Sequence, residues 1–299
     1  MTIMNHIDSE TNSSIVLHGI KFNCNKLQVI LDESLKWMIA HGHKPDLCSY
    51  FHKGRWSKLA KFESGIKRIT KDKFLAIEGF SLHDLSHNAQ KAVSEARFSV
   101  ITDPINQSLY VGCHTDIGLA WSSISETYIN NMIISCNPQY AYGFLRERQK
   151  GPYFYTCGII VGLSSGLGRS NNADEVSRIT RWGNYGANAI SWAKTNRNAY
   201  EIGDLRDLYP WNYLTEPALK RDINGTTLLQ WIQASPERGE LKPVGNVGFI
   251  WRLTDEQIAA TRPVMIEADI LFDPRPIEYL DHVTWAREAR ERLGYRGEE

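Results

Sequence analysis

The residues best placed for chemistry are Gly162-Leu163-Ser164-Ser165-Gly166, a G-x-S-x-G pattern that follows the apolar run Gly158-Ile159-Ile160-Val161. In hydrolases that pattern holds a serine on a tight strand-to-helix turn. Ser164 would be the nucleophile, His282 the base taking its proton, and Asp269 or Asp273 the carboxylate orienting the imidazole. His18-Gly19, after a strand, would supply an oxyanion loop. Two features oppose this. Leu167-Gly168-Arg169-Ser170-Asn171 is a poor helix start, and the chain lacks the repeated strand–helix units of a hydrolase sheet. The serine hydrolase is therefore the alternative, and the preferred reading has no catalytic residues.

Other patterns are weaker. Gly162, Gly166 and Gly168 lack the Lys-Ser/Thr of a phosphate loop and the spacing of a dinucleotide fingerprint, so no cofactor is expected. His83 and His87 have the i, i+4 spacing of a zinc helix, and His41, His43 and Cys48 form a looser triple. A zinc site needs three or four ligands with a second shell, so these read as exposed loop histidines and no metal is expected. Cys113 and His114 are adjacent in an expected strand and point to opposite faces.

Charge next to aromatic rings suggests recognition instead. Arg181-Trp182-Gly183-Asn184-Tyr185 and Asp204-Leu205-Arg206-Asp207, with Trp211 close behind, place arginine or carboxylate beside large rings in loop company. Exposed Trp, Tyr and Arg dominate binding hot spots, so Arg181, Trp182, Tyr185, Asp204, Arg206, Asp207 and Trp211 are the expected partner-binding residues. Residues 51–73 are basic, with Trp56 and Phe62 among the lysines. Their helical spacing predicts a solvated amphipathic helix rather than a nucleic-acid track.

These residues need positioning elements. Periodicity predicts strands at 15–20, 74–80, 97–102, 109–112, 153–161 and 247–253. It predicts helices at 26–40, 121–133, 172–179, 226–234 and 283–293. A further helix opens at Thr254 and is expected to be kinked or interrupted around Pro263. Strand clusters without regular alternation imply an α+β fold, a mixed and largely antiparallel sheet with helices packed on it.

The chain has 299 residues, enough for a real core, and its 34 basic and 34 acidic residues cancel. No global charge argues for nucleic acid as a direct partner. Five widely spaced cysteines imply no disulfide framework, residues 1–10 lack the basic start and apolar core expected of a signal peptide, and no eighteen apolar residues run together. A cytoplasmic protein without membrane contact is expected. The N-terminal region 1–95 and a domain at 96–299 are separable on paper, with the basic stretch as a seam within what can equally be one domain.

Several segments together resemble a known family: Tyr142-Gly143-Phe144, Gly151-Pro152-Tyr153-Phe154-Tyr155, and Leu205 through Leu214, which reads RDLYPWNYL from Arg206. Leu228-Leu229-Gln230-Trp231-Ile232, Gly239-Glu240-Leu241-Lys242-Pro243 and Phe249-Ile250-Trp251-Arg252-Leu253 follow in order. The set resembles the immunity proteins of bacterial polymorphic toxin and type VI secretion systems, in particular partners of restriction-endonuclease-like toxins, over roughly residues 100–272. The resemblance implies an α+β protein without a reaction of its own. It would neutralise a cognate toxin, a nuclease type among them, by covering a surface the toxin needs. Asp204, Asp207 and the acidic stretch from Glu267 to Asp281 could then imitate phosphates.

Overall fold

The strand β1 (Thr11–His18) lies in the middle of the sheet although it begins the described chain. The computed structural model describes residues 11–85, 96–114, 126–147, 153, 156 and 199–271. One neighbour of β1 is β7 (Ser108–His114) and the other is β8 (Tyr140–Glu147), both antiparallel. Beyond β7 come β6 (Ala96–Asp103), β5 (Gly79–Leu85) and β2 (Leu47–His52). The short strands β3 (Arg55–Trp56) and β4 (Ala60–Lys61) both pair with β2. Beyond β8 come β9 (Trp211–Leu214), β13 (Gly248–Arg252) and, at the far end, β12 (Glu240–Val244). The result is one 11-stranded antiparallel sheet, with a separate ribbon of β10 (Asp222–Ile223) and β11 (Thr226–Thr227). It is a mixed α+β architecture with helices packed on an antiparallel sheet. β5 pairs with β6, so the sheet runs unbroken across residue 95.

Period-2 alternation sends side chains to two faces. On one face Ile15, Leu17, Leu109, Val111, Phe98, Val100, Phe80 and Leu82 form an apolar layer. It is covered by α1 (Cys24–Ala40), α2 (Phe62–Ile69) and α3 (Glu126–Cys136), which contribute Leu27, Ile30, Leu31, Ile69, Ile129 and Met132. The helix α1 follows the expected pattern: the Asn23 side chain accepts from the Lys26 amide at 2.9 Å, and His41 then Gly42, at φ 76, end it. The opposite face holds Val16, Tyr110, Tyr140, Tyr142, Phe144 and Trp251. The helices α4 (Glu216–Leu219), α5 (Leu228–Gln233) and α6 (Asp255–Glu267) bring Leu219, Leu228, Ile232 and Met265 to it.

Three expectations are corrected. Residues 51–73 do not form one amphipathic helix. Gly54, at φ 77, turns the chain back so that β3 pairs with β2, and only Phe62–Ile69 is α-helical. The strand expected at 74–80 starts at Gly79, because Lys73 and Phe74 hold left-handed conformations (φ 53 and 66) at the end of a 3₁₀ turn, Lys71–Phe74. Of the strand expected at 153–161, Tyr153 and Thr156 are helical, the Thr156 hydroxyl donating to the Tyr153 carbonyl at 2.6 Å. The rest of that segment and the helices expected at 172–179 and 283–293 lie outside the described residues.

Candidate functional site

The densest concentration of polar and aromatic chemistry lies where residues 204–210 cross β8. Tyr140, Tyr142 and Phe144 alternate along that strand, so all three rings share one face. Tyr209 stacks on Tyr142 with centroids 4.3 Å apart and planes at 16°. Arg206 is 1% exposed and donates to the Tyr142 hydroxyl at 2.7 Å. A guanidinium does not deprotonate in a protein, so this is a buried positive charge. Asp207, also buried, accepts from Arg262 of α6 through both carboxylate oxygens, at 2.8 and 3.3 Å, and from the Leu208 amide at 2.8 Å. Burial raises the Asp207 carboxyl above its ordinary value, while the Arg262 hydrogen bond and charge pull the other way. Tyr140 donates to the Asp207 carbonyl at 3.2 Å and to Asn212 Oδ1 at 3.3 Å. Asn212 closes the turn by donating to the Tyr209 carbonyl at 2.6 Å.

His18, at the end of β1, is part of the same cluster. Its ring lies 5.5 Å from that of Tyr142 and 5.0 Å from that of Tyr200. It is fully buried, and neither ring nitrogen has a hydrogen-bond partner among the described residues. Burial first and the nearby Arg206 charge second depress its pKa from 6.5 to about 3. The ring is therefore neutral and acts here as a stacking group.

The structure places the expected partner-binding residues as follows. Arg206, Asp207 and Trp211 are inside the protein, 1%, 5% and 7% exposed, so an intact fold does not offer their side chains to a partner. The reason is that these groups are engaged inside the protein, Arg206 by the Tyr142 hydroxyl and Asp207 by Arg262. Asp204 is half-buried in an ion pair with Arg221 at 3.0 Å. Asp204 and Asp207 therefore do not form a phosphate-like surface. Arg181, Trp182 and Tyr185 lie outside the described residues.

Of the alternative triad, Ser164 and His282 also lie outside the described residues. Asp269 is exposed after α6 at φ 53, its backbone carbonyl accepting from Arg221 at 2.9 Å.

The histidines depart from the loop reading. His83 sits in β5, 2% exposed, between Ser99 and Ser81 at 3.0 Å each, and burial lowers its pKa to about 4. His43 is also buried, its Nδ1 2.6 Å from Asp84 and its ring stacked over Phe98. Strand pairing buries His83, whereas His43, in the loop before β2, is buried by its contacts with Asp84 and Phe98. Among the described residues no group of three or more His, Cys, Asp or Glu is arranged to hold a metal ion. A small cavity of about 10 Å³ lies between α3 and the sheet, lined by Glu126, Ile129, Asn130, Trp211, Ile250 and Arg252. That is at the lower limit for a single water.

Sequence reasoning missed His18, Tyr140, Tyr142 and Arg262 as parts of this cluster. The i, i+2 spacing of Tyr140, Tyr142 and Phe144 was the available signal for one sheet face. Nothing local marks Arg262, whose partner is 55 positions away.

No family model matches the chain, and no curated protein matches its sequence. Among solved structures it is weakly similar to the Pseudomonas aeruginosa T6SS protein PA0821, with a TM-score of 0.46 and 9% identity, over 88% of this chain and 73% of that one. Among the described residues no helix is long and apolar enough to cross a membrane.

Proposed function

We propose that this protein is an immunity protein, which binds a cognate bacterial toxin in a fixed stoichiometry and covers a surface the toxin needs. The observation that supports this reading is spatial. Of the segments carrying the family resemblance, those that lie wholly within the described residues, at 142–144, 205–214, 228–232, 239–243 and 249–253, are scattered along the chain. They come together as β8, β9, β13 and β12, adjacent in that order at one end of the sheet, with α5 against β12. A shared structural frame requires this of shared motifs.

Within that frame Arg206 donates to Tyr142 and Asp207 is forked by Arg262, which gives a stiff support for surface residues. Arg238 is an outward example, its guanidinium 4.2 Å over the Trp231 ring and donating to the Trp231 carbonyl at 2.6 Å. Both side chains are half-exposed, and this pairing leaves a planar cation on an aromatic platform for a partner.

The test is co-expression with restriction-endonuclease-like toxins, any encoded in a neighbouring reading frame being tried first. Survival of the expressing cells and a one-to-one complex on size exclusion are expected. Toxicity undiminished by co-expression would remove the immunity reading. Labelling by a fluorophosphonate probe that disappears in Ser164→Ala would put the serine hydrolase in its place.

A further inference from the structure

The other end of the sheet carries a different surface. Between residues 44 and 78 the chain has nine Lys or Arg against four Asp or Glu, in a sequence whose charges cancel overall. The fold gathers this surplus. β3 and β4 pair with the outer edge of β2, α2 packs on β2, and the Lys71–Phe74 turn packs on α2. Arg55, Lys58, Lys61, Lys67, Arg68 and Lys71 are all exposed, and among the described residues none of the six is in an ion pair.

Apolar side chains stand among these cations. Leu59 is 40% exposed and Leu75 is 77% exposed. Phe74, 1% exposed, anchors its turn in the core at φ 66, and the next residue, Leu75, faces outward. An exposed leucine between lysines gains nothing from water, but it gains burial when a protein surface closes over it.

We infer that this basic edge is a docking surface for an acidic polypeptide, whose carboxylates meet the lysines while aliphatic side chains meet Leu59 and Leu75. Only the identity of that partner, the toxin, rests on the proposed immunity function. Seven of the nine cations are lysines, compact charges that steer an acidic surface into place. The apolar contacts are aliphatic and offer no stacking platform for bases. Trp56 is half-buried and meets Phe51 edge-on, with centroids 5.5 Å apart and planes at 71°.

The test uses the full chain and poly-L-glutamate as the acidic probe, at low and at elevated sodium chloride, against a duplex DNA of matched charge. Wild-type protein binds polyglutamate at low salt and releases it when salt shortens electrostatic reach. The K58E/K67E/K71E variant binds it at least about ten-fold more weakly. Where that variant melts early, K58Q/K67Q/K71Q replaces it, with a smaller loss in the same direction. Equal binding by wild type and the charge variants, absence of wild-type binding, or tighter binding of the DNA each overturns the inference.

A second arm separates it from the immunity reading. A toxin neutralised equally by wild type and K58E/K67E/K71E places toxin contact elsewhere and sinks the inference while immunity stands. A toxin ignored by wild type, with polyglutamate binding intact and charge-dependent, sinks immunity and keeps the acidic docking surface. Leu75→Ser weakens toxin binding without changing polyglutamate binding if the leucine meets apolar toxin side chains, and unchanged toxin binding removes that contact from the surface.

Discussion

Arg262 clamps Asp207 with two nitrogens, Nε on one carboxylate oxygen at 2.8 Å and a terminal nitrogen on the other at 3.3 Å. This fork ties the 204–210 crossing, and with it the aromatic face of β8, to α6. The Asp207 side chain is 7% exposed and that of Arg262 is 26% exposed, so the pair is largely removed from water. Charge pairs of this kind weigh more when broken than when replaced.

Asp207→Ala leaves Arg262 without its carboxylate and the Leu208 amide without its acceptor. Urea denaturation is expected to show a loss of about 3 kcal/mol. Asp207→Leu combined with Arg262→Met, which removes both charges, is expected to recover at least half of that loss. A double variant as unstable as the single one would mean that the pair itself, rather than its uncompensated remnant, supplies the stability.

Acid sensitivity follows from two buried histidines. The folded pKa of His18 is depressed to about 3 and that of His83 to about 4, both below the usual 6.5. The unfolded chain therefore binds more protons in that window, so both contributions are present above pH 6.5 and are lost as pH falls toward those values. Each adds a slope of up to about 1.4 kcal/mol per pH unit. Asp207 and Asp204 act in the opposite sense: burial raises both above 3.8, so their contribution is largest at low pH and declines as pH rises through the raised values. His18→Phe isolates one term. Its ring keeps the stacks on Tyr142 and Tyr200 and forfeits no hydrogen bond among the described residues. It is expected to match wild type at neutral pH and to be more stable near pH 4.5. Parallel pH profiles for the two proteins would contradict the assignment.

Gly239 sits at φ 95 just before β12, and a Cβ there would press on the Arg252 carbonyl and lie 2.7 Å from Trp251 Nε1. That nitrogen donates to the Arg238 carbonyl at 2.7 Å. Gly239→Ala combines left-handed strain with a displaced buried tryptophan and is expected to cost about 2–3 kcal/mol. Thermal melting checks it, and an unchanged transition would show that the turn re-forms freely.

Trp182 carries the binding prediction made from the sequence. Trp182→Ala is expected to weaken toxin binding by about 2 kcal/mol or more and to leave the melting temperature nearly unchanged. A buried tryptophan would instead cost about 3–5 kcal/mol of stability. Titration calorimetry and melting on the same variant decide between them, and a large fall in melting temperature takes Trp182 out of the binding surface.

The elements that need only local information were legible. Apolar spacing marked α1, and the capping boxes of Thr227 with Gln230 and Thr254 with Gln257 opened α5 and α6 where expected. The strands at 97–102, 109–112 and 247–253 and the α+β class also follow from period-2 runs separated by helices. Hydrogen bonds between neighbours in sequence, and the faces they create, are written into a short window of residues.

What the window omits is partner choice. A lysine-rich stretch with helical spacing became β3, β4 and a short α2 because β2 had an open edge to pair with. His83 looked like a loop ligand and lies in a strand, held by serines on its own and the adjacent strand. Arg206 and Asp207 looked like a binding surface, since charge beside aromatic rings usually means exposure. Their burial depends on Tyr142, 64 positions before Arg206, and on Arg262, 55 positions after Asp207. A charge enters a protein interior only when a matching group meets it there, and that meeting is decided by tertiary structure, which brings together residues far apart along the chain.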